Sequence, residues 1–364
     1  MQETIVHVIS STQLGGLERR LEMLSENSGK SSYTHVFISV GGVALKKSSA
    51  CRHSSVFFVS SGRPYTYRLM TVLRLFLLFR KISPLAVHAH GVHAMIHSMP
   101  AALLSGVDTR IAEFIGMEKT SKKIRFLLRM ILFLSTTMLG ISRSVADYLR
   151  AEFPIHEKKI GYIYNPVYLR SMPGEPLSSD VFRICVIARL EPVKNVGALI
   201  EAFARFSLSV KSSELWIIGS GSLESKIREM VIKRGLEKNV TLFGSLRNPT
   251  SRLSQSSVYV QPSLTEAFGI AIAEAMLCGI PVVVPANAGV ADFIQDGING
   301  WVVPDVSVET LTHHLHQAHA CWPDRLQSMG RRAKTQAQLS FSIESYIRKL
   351  DDLYTHGALR TVDF

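Results

Sequence analysis

Short apolar runs alternate with helical patterns along this chain, the pattern of a parallel α/β sheet. Ile5–Ser10 reads as a first strand, Gly15-Gly16 as a loop and Leu17–Glu26 as a helix. Val36–Val40, Val56–Ser60, Leu85–Ala89, Thr109–Ala112 and Met138–Ile141 continue the strand series. Met172–Asp180, rich in Pro, Gly and Ser, breaks the pattern and predicts a linker. A second series follows, with strands at Phe182–Ala188, Leu215–Ile218, Val240–Phe243, Val258–Gln261, Pro281–Val284 and Gly300–Val303. Its helices fall at Val196–Phe206, Leu223–Arg234 and through Glu274, and Ser342–Tyr354 reads as an amphipathic terminal helix. The expectation is an α/β protein of two consecutive Rossmann-like domains, 1–172 and 181–341, facing a deep inter-domain cleft. Ligands usually bind in such a cleft. The segment 342–364 is expected to pack back toward the first domain.

Two stretches are more apolar than the rest, Arg68–Ile82 and Ile124–Ile141. Arg74 interrupts the first, and Arg125 and Arg129 the second. Neither reaches about 20 uninterrupted apolar residues, the length that spans a bilayer. Two readings stay open. They are buried core helices, or one of them lies on an anionic membrane through Lys119, Lys122, Lys123, Arg125 and Arg129.

Composition narrows the class. At 364 residues and 46% hydrophobic, the chain is too long for one ordinary core and too apolar to be disordered. Cys51, Cys185, Cys278 and Cys321 are scattered and form no CxxC pair. A disulfide scaffold or zinc ribbon is not expected, and a reducing compartment fits. The start, Met1 to His7, lacks the basic and long apolar regions of a signal peptide. The expected location is the cytoplasm, or the cytoplasmic face of the inner membrane as a peripheral protein. The formal net charge of +12 asks for an anionic partner: nucleic acid, a phosphate-bearing small molecule or an acidic membrane. Residues 1–172 hold 22 Lys and Arg against 10 Asp and Glu, whereas 173–364 hold 19 of each. All the excess therefore belongs to the first half.

The strongest chemical signal is Pro262–Pro281. Glu266 and Glu274 stand eight residues apart with Gly269 between them. A helix starting near Gly269 would present free N–H groups to an anion. Glu266 ahead of it and Glu274 within it can accept hydrogen bonds from sugar hydroxyls. On spacing alone, two solvated glutamates beside an ordinary helix fit equally well.

That run resembles the nucleotide-sugar signature of glycosyltransferase family 4, whose members are retaining enzymes of the two-Rossmann GT-B fold. Other stretches agree. Arg189 and Lys194 resemble the family's arginine–lysine segment, Gly219-Ser-Gly221 its GxG loop, and Phe243-Gly244-Ser-Leu246 a strand end near the base. Asp296-Gly297-Ile-Asn-Gly300 resembles its DGxxG turn. The likeness covers essentially all of 181–305. It is looser before that, resting on Gly15-Gly16-Leu-Glu18, His88-Ala-His90 and Tyr164-Asn165-Pro166-Val167.

The resemblance implies a role for each residue. Arg189 can fork onto two diphosphate oxygens and Lys194 adds a point charge, so a metal ion is not expected. Glu266 would hold donor sugar hydroxyls and Glu274 the ribose. Gly15 and Gly16 would let backbone N–H groups approach the phosphate or sugar, although a plain turn also explains them. Gly219, Gly221, Leu246, Phe268, Gly269 and Ile270 complete the implied donor site. The implied activity is transfer of a sugar from a nucleoside diphosphate to an acceptor. A lipid-linked saccharide of bacterial surface polysaccharide assembly is the expected acceptor.

One departure stands out. Many members carry a histidine after the strand corresponding to Thr109–Ala112, where this chain has Glu113. Either Glu113 takes a related hydrogen-bonding role in catalysis or that contact is absent. His88, His90, His93 and His97 crowd one stretch, but no neighbouring carboxylate or cysteine completes a metal site in the sequence. His90 and Asn165 are acceptor-side candidates. Two rival readings are weaker. A GT-B sugar-nucleotide epimerase needs acid–base carboxylates beyond those assigned. A nucleic-acid binder needs exposed aromatics among the basic residues, which here are mixed with Leu, Ile, Phe and Met.

Overall fold

A computed structural model describes residues 2–10, 16–41, 56–58, 69–117, 122–153, 159–169 and 180–357. Gly15, Cys51, Lys119 and most of the expected linker lie outside these residues. The chain divides into two compact units, Met1–Pro166 with Ile343–Phe364, and Val167–Ser342.

The first unit holds β1 (Thr4–Ile9), α1 (Gly16–Glu26), β2 (Thr34–Ser39), β3 (Val56–Phe58), α2 (Leu69–Ile82), β4 (Ala86–His90), α3 (Val92–Leu104), β5 (Thr109–Phe114), α4 (Lys122–Leu132), β6 (Thr137–Gly140), α5 (Arg143–Glu152) and β7 (Ile160–Tyr162). Its seven strands are parallel in the order β3-β2-β1-β4-β5-β6-β7. The second unit follows with β8 (Phe182–Ile187), α6 (Val196–Ser209), β9 (Ser213–Ile218), α7 (Glu224–Lys233), β10 (Val240–Gly244), α8 (Thr250–Leu253), β11 (Val258–Val260), α9 (Ile270–Leu277), β12 (Val282–Pro285), β13 (Gly300–Val303), α10 (Val308–Ala320) and α11 (Asp324–Ser340). Its six parallel strands run β10-β9-β8-β11-β12-β13. The last helix, α12 (Ile343–His356), belongs to the first unit.

Both sheets are Rossmann-like. Strand order reverses beside β1 in one and beside β8 in the other, and such switch points open crevices at the carboxyl ends of the strands. Strand interiors are buried on both faces, as parallel sheets require, so β8 reads FRICVI and β12 VVVP rather than alternating. In the second unit the core gathers Phe182, Phe203, Phe206, Leu215, Val258 and Trp301. In the first, Ile5, Ile9 and Leu21 pack with Tyr346, Leu350 and Tyr354, so α12 covers the same sheet face as α1.

The two most apolar stretches are helical, but neither is wholly buried. In α2 only Thr71, Leu75 and Phe79 are buried, spaced by four. The second stretch is split: α4 ends at Leu132, and Thr137–Gly140 forms β6. Among the described residues no helix is long and apolar enough to cross a membrane.

Candidate active site

Because all six strands of the second unit are parallel, the segments after β8, β9, β10 and β11 emerge at one edge of its sheet. Those segments carry Arg189 and Lys194, Gly219 and Gly221, Leu246, and Glu266. Arg189 is exposed, and Lys194 closes a short 3₁₀ turn over Pro192–Lys194. The next residue, Asn195, adopts a left-handed φ of 50°, which Asn tolerates better than most side chains. Its Nδ2 donates to the Val306 carbonyl at 3.2 Å, fixing the turn before α6 begins.

Lys194 and Glu266 meet across the switch point. Lys194 Nζ donates to Glu266 Oε2 at 2.5 Å, with each side chain 16% exposed. The two loops are also tied by Leu264 N–H donating to the Val193 carbonyl. Gly269 caps α9 with φ +100°, and a Cβ there would fall 2.5 Å from Ile272 Cδ1. Only glycine is comfortable in that conformation. The first-turn N–H groups of α9, at Ile270 and beyond, therefore open beside Glu266, as the spacing predicts. Phe268 is buried and packs edge-on against Phe341 at 5.5 Å. Glu274, one turn into α9, is 8% exposed.

Behind Glu266 runs a chain of hydrogen bonds that the motif does not announce. Tyr259 Oη donates to Gln261 Oε1 at 2.5 Å, Gln261 Nε2 to Ser263 Oγ at 2.7 Å, and Ser263 Oγ to Glu266 Oε2 at 3.3 Å. Tyr259, Gln261 and Ser263 alternate along β11 and its extension, and all are buried. Burial pushes the Tyr259 hydroxyl well above its ordinary range, so it stays a neutral donor. Period-two polar residues in an apolar strand were the available signal.

The GxG glycines have a packing reason. A Cβ at Gly219 would lie 1.9 Å from the Ala188 carbonyl oxygen, and one at Gly221 would lie 2.6 Å from that of Leu190. The loop after β9 thus lies backbone to backbone on the loop that carries Arg189. Leu246 is exposed at the same edge, beside the Ser220–Ser245 hydroxyl pair.

The expected residues of the first unit converge on one buried cluster. Cross-strand register aligns His7 with His88 and His90 with Glu113. Glu113 is wholly buried, and both of its oxygens accept from the Arg20 guanidinium. His90 Nδ1 donates to the same carboxylate at 2.5 Å. Arg20 also donates to Asn165 Oδ1 at 2.9 Å. Burial alone would raise the Glu113 pKa, but Arg20 and then His90 outweigh it and hold the carboxyl well below the usual range. Glu113, His90 and Asn165, expected to meet donor sugar and acceptor, are buried and joined by Arg20 of α1. Gly16, which opens α1, is exposed.

From His90 the chain continues through His7 (3.0 Å), His35 (2.9 Å), Ser31 (2.9 Å) and Asp351 of α12 (2.8 Å). These five links between two carboxylates need five protons. Three neutral imidazoles and one hydroxyl supply four, so the chain has room for one further proton. Burial lowers the pKa of His7 and His88 well below the ordinary value and pushes His35 down to about 4. Nitrogens of His7, His88 and His90 all lie within 4.8 Å of one another, and strand pairing adds the carboxylate that the sequence lacked nearby. Arg20 already balances Glu113, so a dication would add two uncompensated charges to a dry core. The cluster therefore fits a hydrogen-bonded relay better than a metal site.

Comparison with known proteins agrees with this architecture. The family description "Glycosyltransferase Family 4" matches residues 14–170, and "Glycosyl transferases group 1" matches 170–336. The putative colanic acid biosynthesis glycosyltransferase WcaL of Salmonella typhimurium is 27% identical over 189 residues, covering 50% of this chain and 45% of that protein. The amylovoran biosynthesis glycosyltransferase AmsK of Erwinia amylovora is 31% identical over 151 residues, 39% of this chain and 36% of its own. The matched stretch thus spans less than half the length of these relatives. Anabaena Alr3699/HepE, solved in complex with UDP, superposes with a TM-score of 0.82 at 16% identity, covering 97% of this chain and 100% of its own. With two family descriptions meeting at residue 170 and two Rossmann-like units beneath them, the chain belongs to glycosyltransferase family 4 and has its GT-B fold.

Proposed function

We propose that the protein is a retaining glycosyltransferase. It would move a sugar from a nucleoside diphosphate to a lipid-linked glycan acceptor during bacterial surface polysaccharide assembly. The observation that carries this reading is the convergence of Arg189, Lys194, Glu266 and the N-terminus of α9 at one sheet edge. The UDP complex of the structural neighbour and the polysaccharide roles of WcaL and AmsK support it.

In this reading Arg189 forks onto the donor diphosphate, and Lys194 leaves Glu266 to neutralise the charge that builds as the phosphate departs. The α9 N-terminus adds its dipole. These groups do the work of a metal ion, so none is required. Glu266 then accepts from the sugar hydroxyls, and Glu274 from the ribose. The acceptor oxygen bonds to the anomeric carbon on the face that the phosphate leaves, and its proton passes to the departing phosphate oxygen. Fixed geometry and charge supply the rate. Glu113 acts indirectly by holding Arg20, and with it α1. The basic first half is held against the anionic cytoplasmic face of the inner membrane, where a lipid-linked acceptor resides.

The test is transfer itself. Incubating the protein with nucleoside diphosphate sugars labelled in the sugar, together with a bacterial membrane extract, should carry label into the organic phase. Lys194→Ala and Glu274→Ala should abolish that transfer. Undiminished transfer by both variants would contradict the site assignment.

A further inference from the structure

The first unit exposes large apolar side chains on three of its helices. Among the described residues, eight of sixteen exposed large apolar side chains belong to α2, α3 and α4, and a ninth, Phe133, directly follows α4. Leu69, Leu73 and Leu77 form a stripe along α2, at 84%, 48% and 59% exposure. Their four-residue spacing places them on one face, offset from the buried Leu75 and Phe79. Leu104 ends α3 at 68% exposure. On α4, Phe126 and Met130 are 68% and 55% exposed, while Leu128, Ile131 and Leu132 face the core.

These residues share one side of the unit. The crossovers through α2, α3 and α4 run in the same sense along the sheet, so right-handed connection puts all three helices on one face. α3 packs against both α2 and α4. Monomeric proteins rarely gather apolar side chains in this way without a partner.

The charge pattern names the partner. α2, α3 and α4 contain no Asp or Glu. Exposed Arg74, Arg80 and Lys81 flank the α2 stripe, and exposed Lys123 and Arg129 flank that of α4. Apolar stripes bordered by cations suit an anionic bilayer, where leucine and phenylalanine enter the acyl boundary and basic heads stay with the phosphates. A second copy of this chain would bring the same cations face to face across a two-fold interface, which opposes dimerisation there.

We infer that α2 and α4, with the end of α3 between them, form a two-helix platform that inserts its apolar stripes into an anionic lipid surface. This rests on the membrane reading above and deepens it. The contact is not the basic start of α4 alone. It requires α2 as an equal partner, and insertion as well as charge.

The experiment is co-sedimentation of the full chain with phosphatidylcholine vesicles, with and without phosphatidylglycerol. Wild type is expected to bind only the anionic vesicles. Leu73→Ser with Leu77→Ser on α2, and separately Phe126→Ser with Met130→Ser on α4, should each weaken binding about tenfold, since each removes two partly inserted side chains. The four-fold variant should not bind. All these positions are exposed, so thermal midpoints should stay near wild type. Wild-type binding undiminished by both pairs would overturn this platform while leaving membrane attachment standing. Loss through the α4 pair alone would remove α2 from it. No binding of wild type to either vesicle would overturn both this and the membrane reading. A wild-type dimer dissociated by these substitutions, with no vesicle binding, would reassign the face to self-association.

Discussion

Glu266 is held from two sides, and the two holds do different work. Lys194 meets it from the segment after β8, while Tyr259, Gln261 and Ser263 support it from its own strand. In the proposed reading a diphosphate draws Lys194 away, and only the second hold remains. Gln261 is the middle link, and its replacement by leucine removes one hydrogen bond from the buried hydroxyl on either side, leaving Tyr259 the Ile187 carbonyl and Ser263 the Glu266 carboxylate. Such a loss costs about 1–3 kcal/mol, part of it in stability. Gln261→Leu is expected to weaken binding of the intact sugar nucleotide about tenfold, the equivalent of one charge-assisted hydrogen bond. Binding of the bare nucleoside diphosphate should stay within about twofold, because in the proposed reading Glu266 serves the sugar alone. Titration of both ligands into the variant checks this. Equal weakening of the two would assign Gln261 to folding rather than to positioning Glu266.

At the scale of elements, the first sheet, α1 and α12 are joined by polar contacts as well as by packing. Lys30 pairs with Glu344, Ser31 bonds to Asp351, and His88 to the Tyr354 hydroxyl. This makes the joint sensitive to acid. His7, His35, His88 and His90 have lowered pKa values, so in the folded chain these four rings take up few protons as pH falls below about 6.5, the ordinary histidine value. In the unfolded chain each of the four takes one up. The unfolded state then binds more protons, and stability falls with falling pH from about 6.5 toward about 4, where His35 itself charges. A histidine neutral in the fold and charged when unfolded costs about 2 kcal/mol at pH 5. Glu113, with a depressed pKa, works in the same direction only below the ordinary carboxylate range. The unfolding midpoint should therefore drop steeply between about pH 7 and pH 5, and less steeply in His35→Gln. A flat profile for wild type would contradict the neutral, buried state of these rings.

At the scale of the whole molecule, sequence pattern and structure agree where the signal is local. Buried parallel strands read as continuous apolar runs, so β1, β8, β12 and β13 were legible within a residue or two. The GxxxxE register around Gly269 marked the start of α9, because a capping glycine and a following apolar helix are local features. What was not legible depends on pairing between distant strands. Nothing near Glu113 in the sequence says that Arg20, 93 positions away, meets it, or that His7 joins His90 across 83. Alternation along a strand shows which residues share a face, but register decides which of them touch. The Tyr259–Ser263 chain was missed because a motif search weighs Glu266 and not the strand that leads to it. The apolar stretches left two readings open for a different reason. Composition showed how apolar they are, whereas only the fold shows that α2 and α4 each bury one side and expose the other.

The central claim is that the second unit binds a nucleoside diphosphate at the edge carrying Arg189, Lys194, Glu266 and Glu274. Calorimetric titration of UDP, GDP and ADP into wild type and Lys194→Ala addresses it directly. One of the three is expected to bind wild type, and to bind the variant at least about tenfold more weakly, the loss of one charge-assisted contact. Absence of binding by all three nucleotides, or equal binding by wild type and variant, would contradict it.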